Sequence, residues 1–175
     1  YQVVSNAYSY SPTKSFQLWG QYGWSAVVQR RFSSTASSIG YEFAILIEAR
    51  GSVGVDHPAF FNREEATWGA YYATVQFDHS DGRIKAEDGT VLGSWSAGRW
   101  YRIKVILNRQ TNTYNVWFNG QLVGQNLRVS RTSTDRINAI ALTSAWPGQK
   151  VYYDDVRVFA VQQQRVLGFT IRRRR

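Results

Sequence analysis

Few side chains in this sequence are suited to chemistry, and most of them are carboxylates. Hydrolysis of a glycosidic bond needs two carboxyl groups about 5 to 10 Å apart. Glu42 and Glu48 fall on one face of an apolar, strand-like run. Six residues at about 3.3 Å each hold them roughly 20 Å apart, too far to act as a pair. Glu64 and Glu65 adjoin in an irregular stretch. Asp78 and Asp81 flank a turn and offer oxygen ligands to a calcium ion, a hard cation. Asx hydrogen bonds that cap the turn are the plainer role. Asp154 and Asp155 are also adjacent, but strand alternation points them to opposite faces. His57 and His79 are the only histidines. Each has the chemistry of a general base or a metal ligand, and a turn contact is again the plainer role. Cysteine is absent, which removes thiolate catalysis, disulfides and cysteine-rich zinc sites. No cofactor is called for; calcium at Asp78 and Asp81 is the one candidate.

The binding chemistry is richer. Sugar rings stack on flat aromatic faces, and the sequence has seven tryptophans. A sandwich buries most large aromatics. Trp68, in the irregular stretch 53–68, and Trp146, beside Pro147-Gly148, are the expected exposed ones. Trp117 alternates out of phase with Tyr114, Val116 and Phe118, so it too is expected to face outward. Arg63 and His57 complete this candidate glycan-binding set.

These side chains need strands to position them. Period-2 alternation dominates, and no stretch has a convincing helical period. Tyr101, Ile103, Val105 and Leu107 share one face of a strand, and Tyr114, Val116 and Phe118 share one face of its partner. Asn119-Gly120 then predicts a type I′ hairpin turn, whose central residues both need positive φ. Asp81-Gly82 and Asp88-Gly89 predict a meander of short strands after 72–77. Further strands are expected over 24–32, 41–49, 137–143 and 151–159, with 41–49 central. About a dozen short strands at regular spacing imply an all-β, antiparallel, two-sheet jelly-roll sandwich. Stretch 53–68 is the exception, long enough for a loop with a short helical turn.

Three segments carry a resemblance. They are Gly98-Arg99-Trp100-Tyr101 with the strand after it, Thr113-Tyr114-Asn115-Val116-Trp117-Phe118-Asn119-Gly120, and Tyr152-Tyr153-Asp154-Asp155-Val156. Together they resemble the C-terminal half of concanavalin A-like lectin/glucanase domains, including laminin-G-like modules. The resemblance implies two stacked curved sheets in a protein that binds glycans, cleaves them or acts as a scaffold. Enzymes of that superfamily carry a clustered E-x-D-x-x-E strand, which is absent here. Its polysaccharide lyases use a basic and aromatic set that Arg63, His57 and Tyr71 resemble.

Residues 1–160 are read as the jelly-roll domain and 161–175 as a C-terminal extension. Of the net charge of +9, five arginines (Arg165 and Arg172 to Arg175) lie in the last eleven residues, so the body is only mildly basic. Val166, Leu167, Phe169 and Ile171 read as one more strand, followed by Arg172, Arg173, Arg174 and Arg175. Such a strand can pair within its own sandwich or be donated to a neighbour's open sheet edge. The polyarginine end suits a polyanion, yet no recognition helix or zinc module accompanies it, which disfavours nucleic acid. No apolar run is long enough for a membrane-spanning helix. The chain begins without Met or an apolar leader, as a mature exported protein would. The expectation is therefore a non-catalytic, extracellular or cell-surface β-sandwich that binds polysaccharide. The alternatives are a structural subunit that joins other copies of itself into a filament or coat, and a polysaccharide hydrolase or lyase.

Overall fold

The computed structural model describes residues 2–20, 26–51, 54–63, 71–130, 137–144 and 149–161. Among them there is no helix, and fourteen strands are present: β1 (Gln2–Ser5), β2 (Ser15–Trp19), β3 (Ala26–Arg31), β4 (Ser38–Ile47), β5 (Val55–Asp56), β6 (Ala59–Asn62), β7 (Val75–Asp78), β8 (Arg83–Ala86), β9 (Val91–Ser94), β10 (Trp100–Asn108), β11 (Thr113–Phe118), β12 (Gln121–Arg128), β13 (Ala139–Ser144) and β14 (Lys150–Ala160). Seven form one antiparallel sheet in the order β1-β2-β14-β4-β10-β11-β12. The opposing layer comprises β3-β13-β6 and β5-β7-β8-β9, joined by a bridge between Phe61 and Tyr72. This is an all-β antiparallel sandwich of the jelly-roll kind.

Alternation fills the space between the layers. Tyr41, Phe43, Ile45 and Ile47 of β4, and Ile103, Val105 and Leu107 of β10, are buried in one core with Phe61, Val75, Phe77 and Ile84 of the opposing layer. Three tyrosines of the large sheet reach across to backbone carbonyls. Tyr41 Oη donates to Ala73 O at 2.6 Å, and Tyr114 Oη lies 3.3 Å from Thr74 O. Tyr153 Oη lies 2.5 Å from Thr143 O and 2.8 Å from Pro58 O. A buried hydroxyl needs a partner, and these carbonyls supply one while fixing the layers' relative position.

The turns follow the local chemistry. Asn119 (φ 49) and Gly120 (φ 83) make the hairpin turn between β11 and β12, and Gly82 and Gly89 also take positive φ. Within the stretch 53–68, expected to be a loop with a helical turn, residues 54–63 contribute β5 and β6, and β6 pairs with β13, while 53 and 64–68 lie outside the described residues. Ala59 and Phe61 face the core while Phe60 is buried on the other side, so burial on both faces hid the period-2 pattern.

Gly40, on β4, is a point of close approach. A Cβ there would stand 2.5 Å from Cζ of Phe159 and 2.9 Å from the carbonyl oxygen of Val105. The Phe159 ring can swing away, but the backbone oxygen cannot. Gly40→Ala is expected to cost about 1–3 kcal/mol, the range for overpacking. Urea unfolding of the variant checks this, and an unchanged midpoint would contradict the packing described.

Candidate functional site

The outer face of the seven-stranded sheet carries a group of polar and aromatic side chains. One half of it is covered. Loop 6–14 lies against it, with Tyr8 edge-on to Tyr152 at 5.0 Å and Tyr10 5.8 Å from Trp100. Asp154 anchors this loop: its Oδ2 accepts from the backbone N–H groups of Tyr10 (3.0 Å) and Ser11 (2.9 Å), and its Oδ1 from Ser11 Oγ (2.9 Å). Burial raises the Asp154 pKa, but these hydrogen bonds outweigh it and the net shift is downward. Beneath the loop, Ala44 and Leu46 are fully buried although they face away from the core.

Next to the loop lies an ion cluster. Arg102 Nε donates to Glu42 Oε1 at 2.6 Å, Arg102 Nη1 lies 3.4 Å from Asp155 Oδ2, and its guanidinium stands 5.8 Å from the Tyr10 ring centroid. Arg157 joins at 3.8 Å from Glu42. Alternation would have sent Asp154 and Asp155 to opposite faces, and this expectation is corrected. The β4–β14 pairing shifts register between Asp154 and Arg157, and Asp155 has φ 50. Such a bulge re-aims side chains, and both carboxylates serve the same face. Glu48 lies apart, just past the end of β4, 3.4 Å from Tyr152 Oη and 3.6 Å from Lys150 Nζ.

Beyond the ion cluster the face opens into a cleft of about 390 Å³, lined by Ser38, Ile106, Asn108, Thr111, Thr113, Asn115 and Asn126. All are uncharged, and all except Ile106 bear a hydroxyl or an amide. Asn115 Oδ1 accepts from the Asn126 N–H at 2.7 Å, which fixes the amide's orientation. Asn108 Oδ1 accepts from the N–H groups of Gln110 and Thr111. Trp117 follows Asn115 on β11, with Lys104 Nζ 4.2 Å from the centre of its ring. The outward placement of Trp117 agrees with alternation. Asn108, Thr113 and Asn115 were not singled out from sequence, yet the same alternation marks them as outward.

The other sequence candidates lie elsewhere. His57 is stacked on Tyr71 (centroids 5.2 Å, interplanar 18°), and Phe60 meets Tyr71 edge-on at 4.7 Å. Burial lowers the pKa of His57, with Asp56 opposing. Arg63 follows Asn62, the last residue of β6, and its Nε is buried with no hydrogen bond among the described residues. This group belongs to the layer opposite the cleft, so Trp117 does not share a site with His57 and Arg63. Asp78 and Asp81 do converge, but on Lys85, whose ammonium lies 2.7 Å from each. Its hydrogen bond, with those from Ser80, holds the Asp78 carboxyl well below the usual carboxylate range. No group of three or more potential metal ligands occurs among the described residues. Trp68, Trp146 and the assembly candidates Val166, Leu167, Phe169, Ile171 and Arg172 to Arg175 lie outside the described residues.

With this geometry in view, comparison with known proteins defines the fold as the concanavalin A-like jelly roll. "Cellulose induced protein, Cip1" superposes with a TM-score of 0.63 at 14% identity, covering 92% of this chain and 86% of that one. Alginate lyase from Alteromonas sp.272 gives 0.56 at 11% identity, covering 90% and 93%. A Trypanosoma rangeli sialidase in complex with the inhibitor DANA gives 0.64 at 13% identity; 90% of this chain covers 27% of that one. In another sialidase the matched part is 15% of its length. No protein-family model matches the sequence, and neither does any curated protein.

Proposed function

We propose that this protein is a non-catalytic glycan-binding module that holds a neutral, hydroxyl-rich polysaccharide in the cleft along β10 and β11. The cleft itself carries the reading: amides and hydroxyls line it, Ile106 contributes an apolar surface, and none of its described lining side chains is charged. Such groups match a sugar's hydroxyls and its apolar ring face without the desolvation cost of a buried ion. Trp117 extends the surface at one end. Glu42 and Asp155, carboxylates of the same sheet face, both grip Arg102, an arrangement suited to fixing the sheet face rather than to exchanging protons with a substrate. The named structural neighbours include a lyase acting on alginate, and a polysaccharide ligand is consistent with that company. An extracellular location belongs to the same proposal.

A glycan array followed by titration calorimetry tests it. Asn115→Ala is expected to weaken binding about tenfold, the value of one or two lost hydrogen bonds. Trp117→Ala should weaken it several-fold, and Arg63→Ala, on the opposite layer, should leave it unchanged. Binding that is indifferent to Asn115 but lost with Arg63 would sink the cleft reading in favour of the His57, Tyr71 and Arg63 group. Release of reducing ends or unsaturated products would sink the non-catalytic one.

A further inference from the structure

Between the layers, beside β14, lies an apolar slot of about 290 Å³. Among the described residues, Val156 and Val158 of β14 form one wall. Val28 and Phe32, with Ile140 and Leu142 of β13, form the other. Val28, Phe32 and Val158 also pack against the main core, so the slot extends it. Val156 is 40% exposed, which opens the slot to solvent. One lining residue breaks the apolar pattern. Arg30 stands directly opposite Ile140 in the β3–β13 ladder, as Val28 stands opposite Leu142. Cross-strand partners share a face, so Arg30 occupies an inward position among core residues. Its guanidinium makes no hydrogen bond or ion pair among the described residues. Such a break in an otherwise consistent pattern is expected at functional sites.

We propose that the slot binds a single-chain carboxylate, with its hydrocarbon chain between the layers and its carboxylate on Arg30. The size fits: an apolar cavity of about 150 Å³ takes one benzene molecule, so the slot suits a chain of about eight to ten carbons. The composition fits as well, since small-molecule sites are mostly apolar with a few polar groups that fix orientation. A guanidinium grips a carboxylate through two parallel hydrogen bonds, and the apolar wall beside it strengthens them. Arg31, at the same margin, adds to the positive potential. The site lies between the layers and the polar cleft on the outer face of the large sheet, so this inference does not rest on the glycan reading. The competing role for Arg30 is to guard β3, the terminal strand of its sheet among the described residues, against pairing with a second copy.

Octanoate tests this in the full chain, with octanol as the uncharged probe of the same length. Titration calorimetry should show octanoate binding at least tenfold more tightly than octanol. Arg30→Gln should weaken octanoate about tenfold, the value of one charge-assisted pair, and leave octanol unchanged. Val156→Trp, which fills the slot, should abolish binding of both. Methyl NMR on the unmodified chain is independent of any folding defect in the variants. Octanoate should shift the methyl signals of Val28, Ile140, Leu142 and Val158 saturably and leave that of Ile106, in the polar cleft, in place. Equal affinity for the two probes, or no saturable shift at the slot methyls, would overturn the proposal. Oligomers of Arg30→Leu, with no octanoate binding by the unmodified chain, would overturn it in favour of the guarding role.

Discussion

Replacing His79 with leucine is expected to lower the unfolding free energy by about 3–5 kcal/mol, the range for breaking a buried ion or hydrogen-bonded pair from one side. The His79 side chain is fully buried and that of Asp56 is 2% exposed. His79 Nδ1 accepts the Gly51 N–H at 2.8 Å, so the ring proton sits on Nε2 and is donated to Asp56 Oδ2, also at 2.8 Å. Trp95 closes the ring's edge at 5.1 Å, and Arg50 holds the carbonyls of His79 and Ser80 at 2.6 and 2.9 Å. Oδ1 of Asp56 already makes no hydrogen bond among the described residues, so His79 is the described support of that carboxylate. Leucine would orphan both Asp56 oxygens and the Gly51 amide in the core. Domains of this size hold about 5–15 kcal/mol in total, so the loss should appear as a fall in Tm of about 10 °C. The double variant Asp56→Val, His79→Leu removes both partners and should recover more than half of the loss, because the penalty lies in the unpaired charge rather than in the lost bond. A double-mutant cycle by urea unfolding measures this. Simple additivity of the two single losses would show that the residues do not act as a pair.

This pair also shows where the sequence was silent. His79 read as a loop histidine because it follows a strand and precedes Asp81-Gly82, and nothing local announces a partner 23 residues earlier. The strands were legible because one face of each is buried, as in β10 and β11, where alternation assigned Trp117 outward. The same periodicity failed at Ala59-Phe60-Phe61, where both faces are covered, and at Asp154-Asp155, where a bulge breaks the phase. The cleft was half legible: the outward phase of Asn108, Thr113 and Asn115 follows from their neighbours. Its shape also depends on Ser38 from β4 and Asn126 from β12, which alternation cannot bring together. Sequence chose candidates by residue type, favouring tryptophan and histidine. The fold places Trp117 and His57 in different layers.

Raising the pH well above 10 should unfold the protein cooperatively, and buried tyrosines set the steepness. Burial pushes the phenol of Tyr152 up to about 12, and those of Tyr41, Tyr114 and Tyr153 are also raised. Desolvation is the leading cause in each. Nearby carboxylates add to it: Glu48 for Tyr152, Glu87 for Tyr41 and Tyr114, and Asp56 for Tyr153. The folded state therefore holds these phenols neutral, while the unfolded chain releases their protons near the ordinary value of about 10. Above that value the unfolded state binds fewer protons than the folded one, so stability falls as pH rises. Below it the four groups contribute no pH dependence. Each ionised phenol contributes about 1.4 kcal/mol per pH unit, so four give roughly 5 kcal/mol per unit once the unfolded chain is fully ionised. The Tyr152 share ends near pH 12, where its folded-state phenol also ionises, and the other three continue to erode a reserve of about 5–15 kcal/mol above it. Three of these hydroxyls, those of Tyr41, Tyr114 and Tyr153, are the bolts between the layers, since they reach carbonyls of the opposite side. A phenolate cannot donate, so ionisation and separation of the sheets are one event. Following phenolate absorbance together with near-ultraviolet circular dichroism should show about four tyrosines ionising in step with the loss of tertiary signal. Phe substituted for Tyr153 removes one of the four and should flatten the slope by about a quarter. Ionisation of Tyr41, Tyr114 and Tyr153 before any loss of tertiary signal would mean that their hydroxyls do not bridge the sandwich.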